Sequence, residues 1–249
     1  MQDRYAGDIG DFGKFALLRA LAPERRLGIC WCRTDGDGES NNDGRHLAYL
    51  RSPDRFRQLD PEAFDTLASF VADVEANRCR RAVESLEALA LLPADTLFHR
   101  DLCPRPQVDR QQWAAGMVDS VAGADLVFLD PDNGLEGAEL GPKSTAVAEL
   151  VALRRPARAL LLYHHQTRRA GGAAAEAGYV ARRLTAAGFE SVDAVRLRPY
   201  SSRFYFLLDA DPALRARLLD FAVRWGREAE LHSARAPREP MAPSGVLRA

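Results

Sequence analysis

Lysine is nearly missing from this chain. Of 34 basic residues, Lys14 and Lys143 are the lysines and the other 32 are arginines. A lysine kept in that background is either a chance survivor or a position needing a compact point charge or a titratable amine, which a guanidinium cannot supply. Net positive charge is missing too. The formal balance at pH 7 is −1, which argues against a uniformly basic surface that coats nucleic acid, while a local patch stays compatible with it. Cysteine is scarce. Cys30, Cys32, Cys79 and Cys103 form no paired CxxC knuckles, so a disulfide scaffold is not expected. Cys30 and Cys32, two apart in an apolar run, share one strand face and read as buried packing thiols; a zinc site completed by His99 is the lesser alternative. No apolar run reaches the roughly 18 to 20 residues of a membrane span, and "MQDRYAGDIG" lacks the basic and apolar regions of a secretory signal. A soluble cytoplasmic protein without membrane contact is the expectation. There is no internal repeat and no linker.

At 249 residues and 47% apolar, the chain can bury a full-sized core. The reading is a single domain over 1–231, with a helical excursion at about 50–93 and a flexible tail over 232–249, where Pro, Ala, Ser and Arg replace any apolar period. Residues 12–22 space their apolar positions as a helix that stops at Pro23, and 27–33 is a short buried strand. Residues 34–46, crowded with Gly, Asp and Asn, form a loop. Helical periods follow over 61–74 and 78–92, then a strand over 95–102 and a helix over 108–121.

From there strands and helices alternate: strand 125–130, helix 145–154, strand 157–163, helix 173–187 closed by Gly188, strand 191–197. That rhythm predicts an α/β, Rossmann-like, mostly parallel sheet with helices on both faces. The connection "RPYSS" is too short for a parallel crossover, so strand 203–209 must pair antiparallel with 191–197 as a C-terminal hairpin. Helix 212–229 closes the domain. In such sheets ligands lie beyond the carboxyl ends of the strands, which places 34–46, 130–137 and 164–169 on one rim.

The stretch "LVFLDPDNGLEG" puts Asp130, Asp132, Asn133 and Glu136 at a strand end. Pro131 forces Asp130 to be extended, and Gly134 permits a tight turn. Two carboxylates and an amide exceed what a turn or helix cap needs. "YHHQTR" ends the next strand. His164 and His165 alternate in direction, so at most one faces the rim, where an imidazole can bind metal or move a proton; Arg168 can hold a phosphate or stay solvated. In the loop, Asp35, Gly36 and Gly38 let the backbone approach a ligand, and Arg45 and His46 follow. The spacing is neither the GxGxxG fingerprint nor a calcium loop. Gly7, Asp8 and Asp11 precede the first helix, whose first turn is expected to carry Lys14. A cation there opposes the helix dipole, so either the helix starts later or Lys14 has an anionic partner.

"YAGDIGDFGKFALL" resembles the "FHAGNxADVLKH" signature of the RlmJ-type ribosomal RNA adenine N6-methyltransferases, and "LVFLDPDNGLE" is similar to their "LILIDPPYE". The order of "ALLLYHH", "RRLTAAGFESV" and the closing hairpin agrees. The resemblance spans nearly the whole folded chain and implies a class I S-adenosylmethionine-dependent methyltransferase fold, with RNA, DNA or a nucleotide as partner. It implies that Asp130 and the Pro131 carbonyl accept hydrogen bonds from a target amino group, and that Gly7, Asp8 and Lys14 lie near cofactor and substrate. Asp132 and Asn133 depart from the motif, and "TDGDG" with "DGR" echoes the cofactor loop with extra residues between. The expected catalytic set is Asp130, Asp132, Asn133 and Lys14. Cofactor contacts are expected from Gly7, Asp8, Asp35, Gly36 and Gly38, and substrate contacts from Arg45, His46, Glu136, Lys143, His165 and Arg168. The chief alternative is a Mg²⁺- or Mn²⁺-dependent nuclease or phosphohydrolase with the metal on Asp130 and Asp132; a non-catalytic nucleotide- or RNA-binding protein is the third reading.

Overall fold

The computed structural model describes residues 1–34, 46–105 and 107–233. Helix α1 spans Ile9–Leu21 and begins earlier than the apolar spacing predicts, because Asp8 caps it. The Asp8 carboxylate accepts the N–H groups of Gly10 and Asp11 at 2.7 and 3.2 Å, satisfying donors that a helix start leaves open. Lys14 therefore lies in the second turn, not the first. Strand β1, Leu27–Cys30, ends short of the expected boundary at 33, and Cys32 just beyond it takes a left-handed φ of 44°.

After α2, Pro53–Phe56, comes α3, Pro61–Glu75, capped by Asp60. The expected helix over 78–92 shrinks to α4, Val83–Glu87. Asn77 and Ala90 on either side of it have φ of 54° and 52°, and the Arg81 guanidinium is drawn away to the Ala6 carbonyl at 2.7 Å. Strand β2, Leu97–His99, then precedes α5, Gln107–Ser120, and β3, Leu126–Leu129. Two short strands, β4 at Gly134–Leu135 and β5 at Ser144–Thr145, pair parallel apart from the main sheet. There follow α6, Val147–Leu153, β6, Ala159–His165, α7, Gly172–Ala186, β7, Val192–Leu197, β8, Arg203–Leu208, and α8, Pro212–Trp225. Instead of continuing to 229, the chain leaves α8 and forms β9, Ala229–Ser233, paired antiparallel with β7.

Among the described residues the main sheet has seven strands in the order β2-β1-β3-β6-β8-β7-β9. Strands β2, β1, β3 and β6 run parallel, and β8 lies antiparallel between β6 and β7. The α/β, Rossmann-like, mostly parallel sheet and its C-terminal hairpin are thus as the sequence rhythm implies. Successive strand residues bury on opposite faces. Ile29, Phe128, Leu161 and Tyr205 join Phe12 of α1, Phe64 of α3 and Trp225 of α8 in one core. Val127, Leu129, Leu160 and Phe206 join Met117 of α5, Leu150 of α6 and Val180 of α7 in the other. Each fully buried Leu or Phe stabilises the fold by about 1.5–3 kcal/mol, so the sheet is a rigid platform for whatever its carboxyl ends carry. Among the described residues, no helix is long and apolar enough to cross a membrane.

Candidate active site

A cavity of about 400 Å³ opens at the carboxyl ends of β3 and β6, between the N-terminal segment, the start of α1 and the start of β8. Its floor is ionic. The Lys14 ammonium lies 2.7 Å from Asp11 Oδ1, 2.6 Å from Asp130 Oδ2 and 5.3 Å from the centre of the Trp31 ring. Asp11 and Lys14 meet because residues three apart share a helix face. Asp130 arrives from the end of β3. All three side chains are buried.

Burial penalises each charge, and the neighbours decide what survives. Burial raises Asp130 above the ordinary carboxylate range even though Lys14 and the Met1 amino group oppose it, and it raises Asp11 in the same way against Lys14. Burial alone would lower Lys14, but the two carboxylates outweigh it and hold the ammonium above its ordinary value. The floor therefore carries a fixed cation beside two carboxylates that ionise reluctantly.

Asp132 is held by the chain on both oxygens. Its Oδ1 takes the Met1 amino group at 3.0 Å, and its Oδ2 takes Gln2 Nε2 at 2.7 Å and Thr34 Oγ1 at 3.1 Å. Burial pushes its pKa up, yet the amino group and these hydrogen bonds prevail and hold it low. The same amino group donates to the Cys32 and Asp130 carbonyls at 3.0 and 3.1 Å, tying the ends of β1 and β3 together.

Asn133 is exposed and its side chain lines the cavity, while its backbone joins Lys143 and His165: its N–H donates to the Lys143 carbonyl at 2.8 Å and its carbonyl accepts from His165 at 3.3 Å. Gly134 then turns with φ 99°, where an added Cβ would lie 2.6 Å from the His164 backbone. No side chain fits that approach. The two histidines separate as strand alternation requires. His165 reaches the cavity, with its Nδ1 3.4 Å from the Tyr163 hydroxyl. His164 is buried below, accepting the Leu135 N–H at 3.1 Å and meeting Glu176 at 3.2 Å; burial depresses its pKa despite Glu176.

Of the residues singled out in the sequence, the cavity gathers Lys14, Asp8, His46, Asp130, Asp132, Asn133, Lys143 and His165. It does not gather three others. Gly7 is buried against Phe70 and Val71, donating to Asp11 and accepting from the Tyr49 hydroxyl. Glu136 pairs with Arg183 and accepts the Val147 N–H. Arg168 is exposed outside the cavity. Asp35, Gly36, Gly38 and Arg45 lie outside the described residues. Sequence reasoning missed Met1, Gln2, Arg4, Tyr5, Tyr163, Ser201 and Arg203, which also line the cavity. Arg203 had one available signal: a charged residue opening a strand that must face the rim.

Cys30, Cys32 and Cys103 are free and buried, and burial lifts the Cys32 and Cys103 thiols to about 12 and about 11. They pack in the second core; among the described residues no group of three or more His, Cys, Asp or Glu side chains is placed to hold a metal ion. Compared with models of protein families and with curated proteins, the chain matches neither.

Proposed function

We propose that this chain is an S-adenosylmethionine-dependent methyltransferase-like enzyme acting on an amino group of a nucleobase, free or within a nucleic acid. The observation that carries the reading is Asp130. It stands with Pro131 at the end of a parallel strand, on the floor of a cavity of about 400 Å³, a size suited to a small-molecule site. Its Oδ2 is fixed by Lys14, and its Oδ1 has no hydrogen-bond partner among the described residues. An oriented carboxylate oxygen of this kind accepts an N–H from an amino group and raises the nitrogen's electron density. Lys14 opposes the rise that burial imposes on Asp130 and holds the carboxylate stationary. Asn133 and His165, on the cavity wall, orient the ring that carries the amine. The cofactor, when bound, would supply an electrophilic methyl group; the loop assigned to it in the sequence, 35–45, lies outside the described residues.

The same geometry weakens the metal-dependent hydrolase reading. The Lys14 ammonium already provides the cationic partner of Asp130, and both Asp132 oxygens are engaged by neighbours. A divalent ion bridging the two carboxylates would have to displace all of these. Isothermal titration with S-adenosylmethionine and S-adenosylhomocysteine tests the proposal. We expect saturable one-to-one binding that EDTA leaves unchanged. Absence of heat with both ligands, on monodisperse protein, sinks it.

A further inference from the structure

Arg203 is a buried cation with no carboxylate in contact among the described residues. Its side chain is 6% exposed and lines the cavity. Its Nε and Nη2 donate to one neutral acceptor, the Ser201 carbonyl, at 3.0 and 2.8 Å. The remaining nitrogen, Nη1, sits against Gly10, where any Cβ would collide with it. The carboxylates closest in effect, Asp8 and Asp11, are committed to the start of α1 and to Lys14. Burial opposes the charge, yet the surroundings, Asp8 and Asp11 among them, hold the guanidinium above its ordinary value, so it stays cationic with no carboxylate in contact and can meet a ligand anion.

Three residues earlier, on the same β7–β8 turn, Tyr200 is held with a left-handed φ of 60° and is 50% exposed. A bulky residue in that backbone conformation is strained, and such strain concentrates at ligand sites. Its ring packs on Phe56, 6.3 Å between centres with 29° between the planes. His46, itself lining the cavity, lies 5.7 Å away. An aromatic pair that reaches the cavity through His46 thus lies three positions along the chain from a buried cation.

We infer that the β7–β8 turn is a nucleotide subsite, in which Arg203 binds a phosphate and the Tyr200–His46 shelf stacks a nucleobase. Arginine is suited to phosphate by its fork of donors, and every base offers a π-face to an aromatic ring. The subsite rests on the amino-group reading only for which edge of the base meets Asp130.

The test is calorimetric titration of the intact protein with the four ribonucleoside 5′-monophosphates, the matching nucleosides and ribose 5-phosphate. Arg203→Met should weaken the best nucleotide by about 10- to 100-fold and leave its nucleoside unchanged. Retained nucleoside binding shows that the variant is folded. Tyr200→Gly, which relieves the backbone strain, should weaken nucleotide and nucleoside about tenfold and leave ribose 5-phosphate unchanged; Tyr200→Phe should retain binding. Nucleotide binding indifferent to both substitutions, or absent in the wild type, overturns the subsite. S-adenosylhomocysteine titrated in parallel separates the two ideas. Its binding without any Arg203 or Tyr200 dependence of nucleotide affinity overturns the subsite alone, and the reverse pattern overturns the methyltransferase reading alone.

Discussion

Arg110 and Glu149 meet in a buried pair whose charges cancel, whereas Lys14 alone faces two buried carboxylates, Asp11 and Asp130. The Arg110 network is closed. Its Nη2 donates to Glu149 Oε2 at 2.8 Å and to the Ser144 carbonyl at 2.7 Å, and Glu149 also accepts the Ala146 N–H at 2.9 Å. With every polar atom spoken for, the group pins α5 to α6 and to β5 and offers nothing to a ligand. The Lys14 network is open. It has one ammonium for two carboxylates that ionise reluctantly, and it forms the floor of the cavity. The difference separates a buried ion pair enclosed by the chain from one that borders an open cavity.

The largest expected effect breaks the closed network. Arg110→Met leaves Glu149 buried without its partner and should lower the unfolding free energy by about 3–5 kcal/mol in urea titrations. The molecules that remain folded should bind S-adenosylhomocysteine as the wild type does. Lys14→Met should cost less at pH 5, because Asp11 and Asp130 can take up protons when the ammonium is gone. Its cost should then grow toward pH 8, since those carboxylates ionise more readily in the unfolded chain. An equal cost at both pH values would contradict an open network.

How much of this was legible in the sequence follows the range of the interactions. Helix α1, the alternating strands and the antiparallel β7–β8 hairpin rest on local spacing, and "RPYSS" alone dictated the hairpin. Strand β9 was not legible. Its five residues have no strong alternation and are extended because β7 offers them an edge. The same division runs through the site. Asp130 and Lys14 stood out by type and context. That they meet could not be read, for they are 116 positions apart. Asp132 read as a second catalytic carboxylate because two carboxylates and an amide at one strand end exceed what a turn needs. Its neighbours in space are Met1, Gln2 and Thr34, which consume it. No local pattern distinguishes a carboxylate that meets a ligand from one that meets the chain.

That contrast predicts opposite pH behaviour for two carboxylates separated by one proline, and it carries the smallest expected effect. Asp130 titrates above its unfolded value, near 3.9, because burial raises it beyond what Lys14 and the Met1 amino group recover. The folded state binds that proton more tightly than the unfolded chain does, so its stabilising contribution is complete below about pH 4 and disappears as pH rises through the folded value. Asp132 titrates low despite its burial, because the amino group and hydrogen bonds prevail. Its contribution is present above about pH 4 and disappears as pH falls. Asp130→Asn should therefore flatten the decline of stability on the neutral side of the profile, and Asp132→Asn should flatten the acid side. Urea unfolding of both variants from pH 3 to pH 8 measures the two slopes. If Asp130→Asn altered the acid side instead, Asp130 would belong with the closed networks, and its claim to a reacting amino group would go with it.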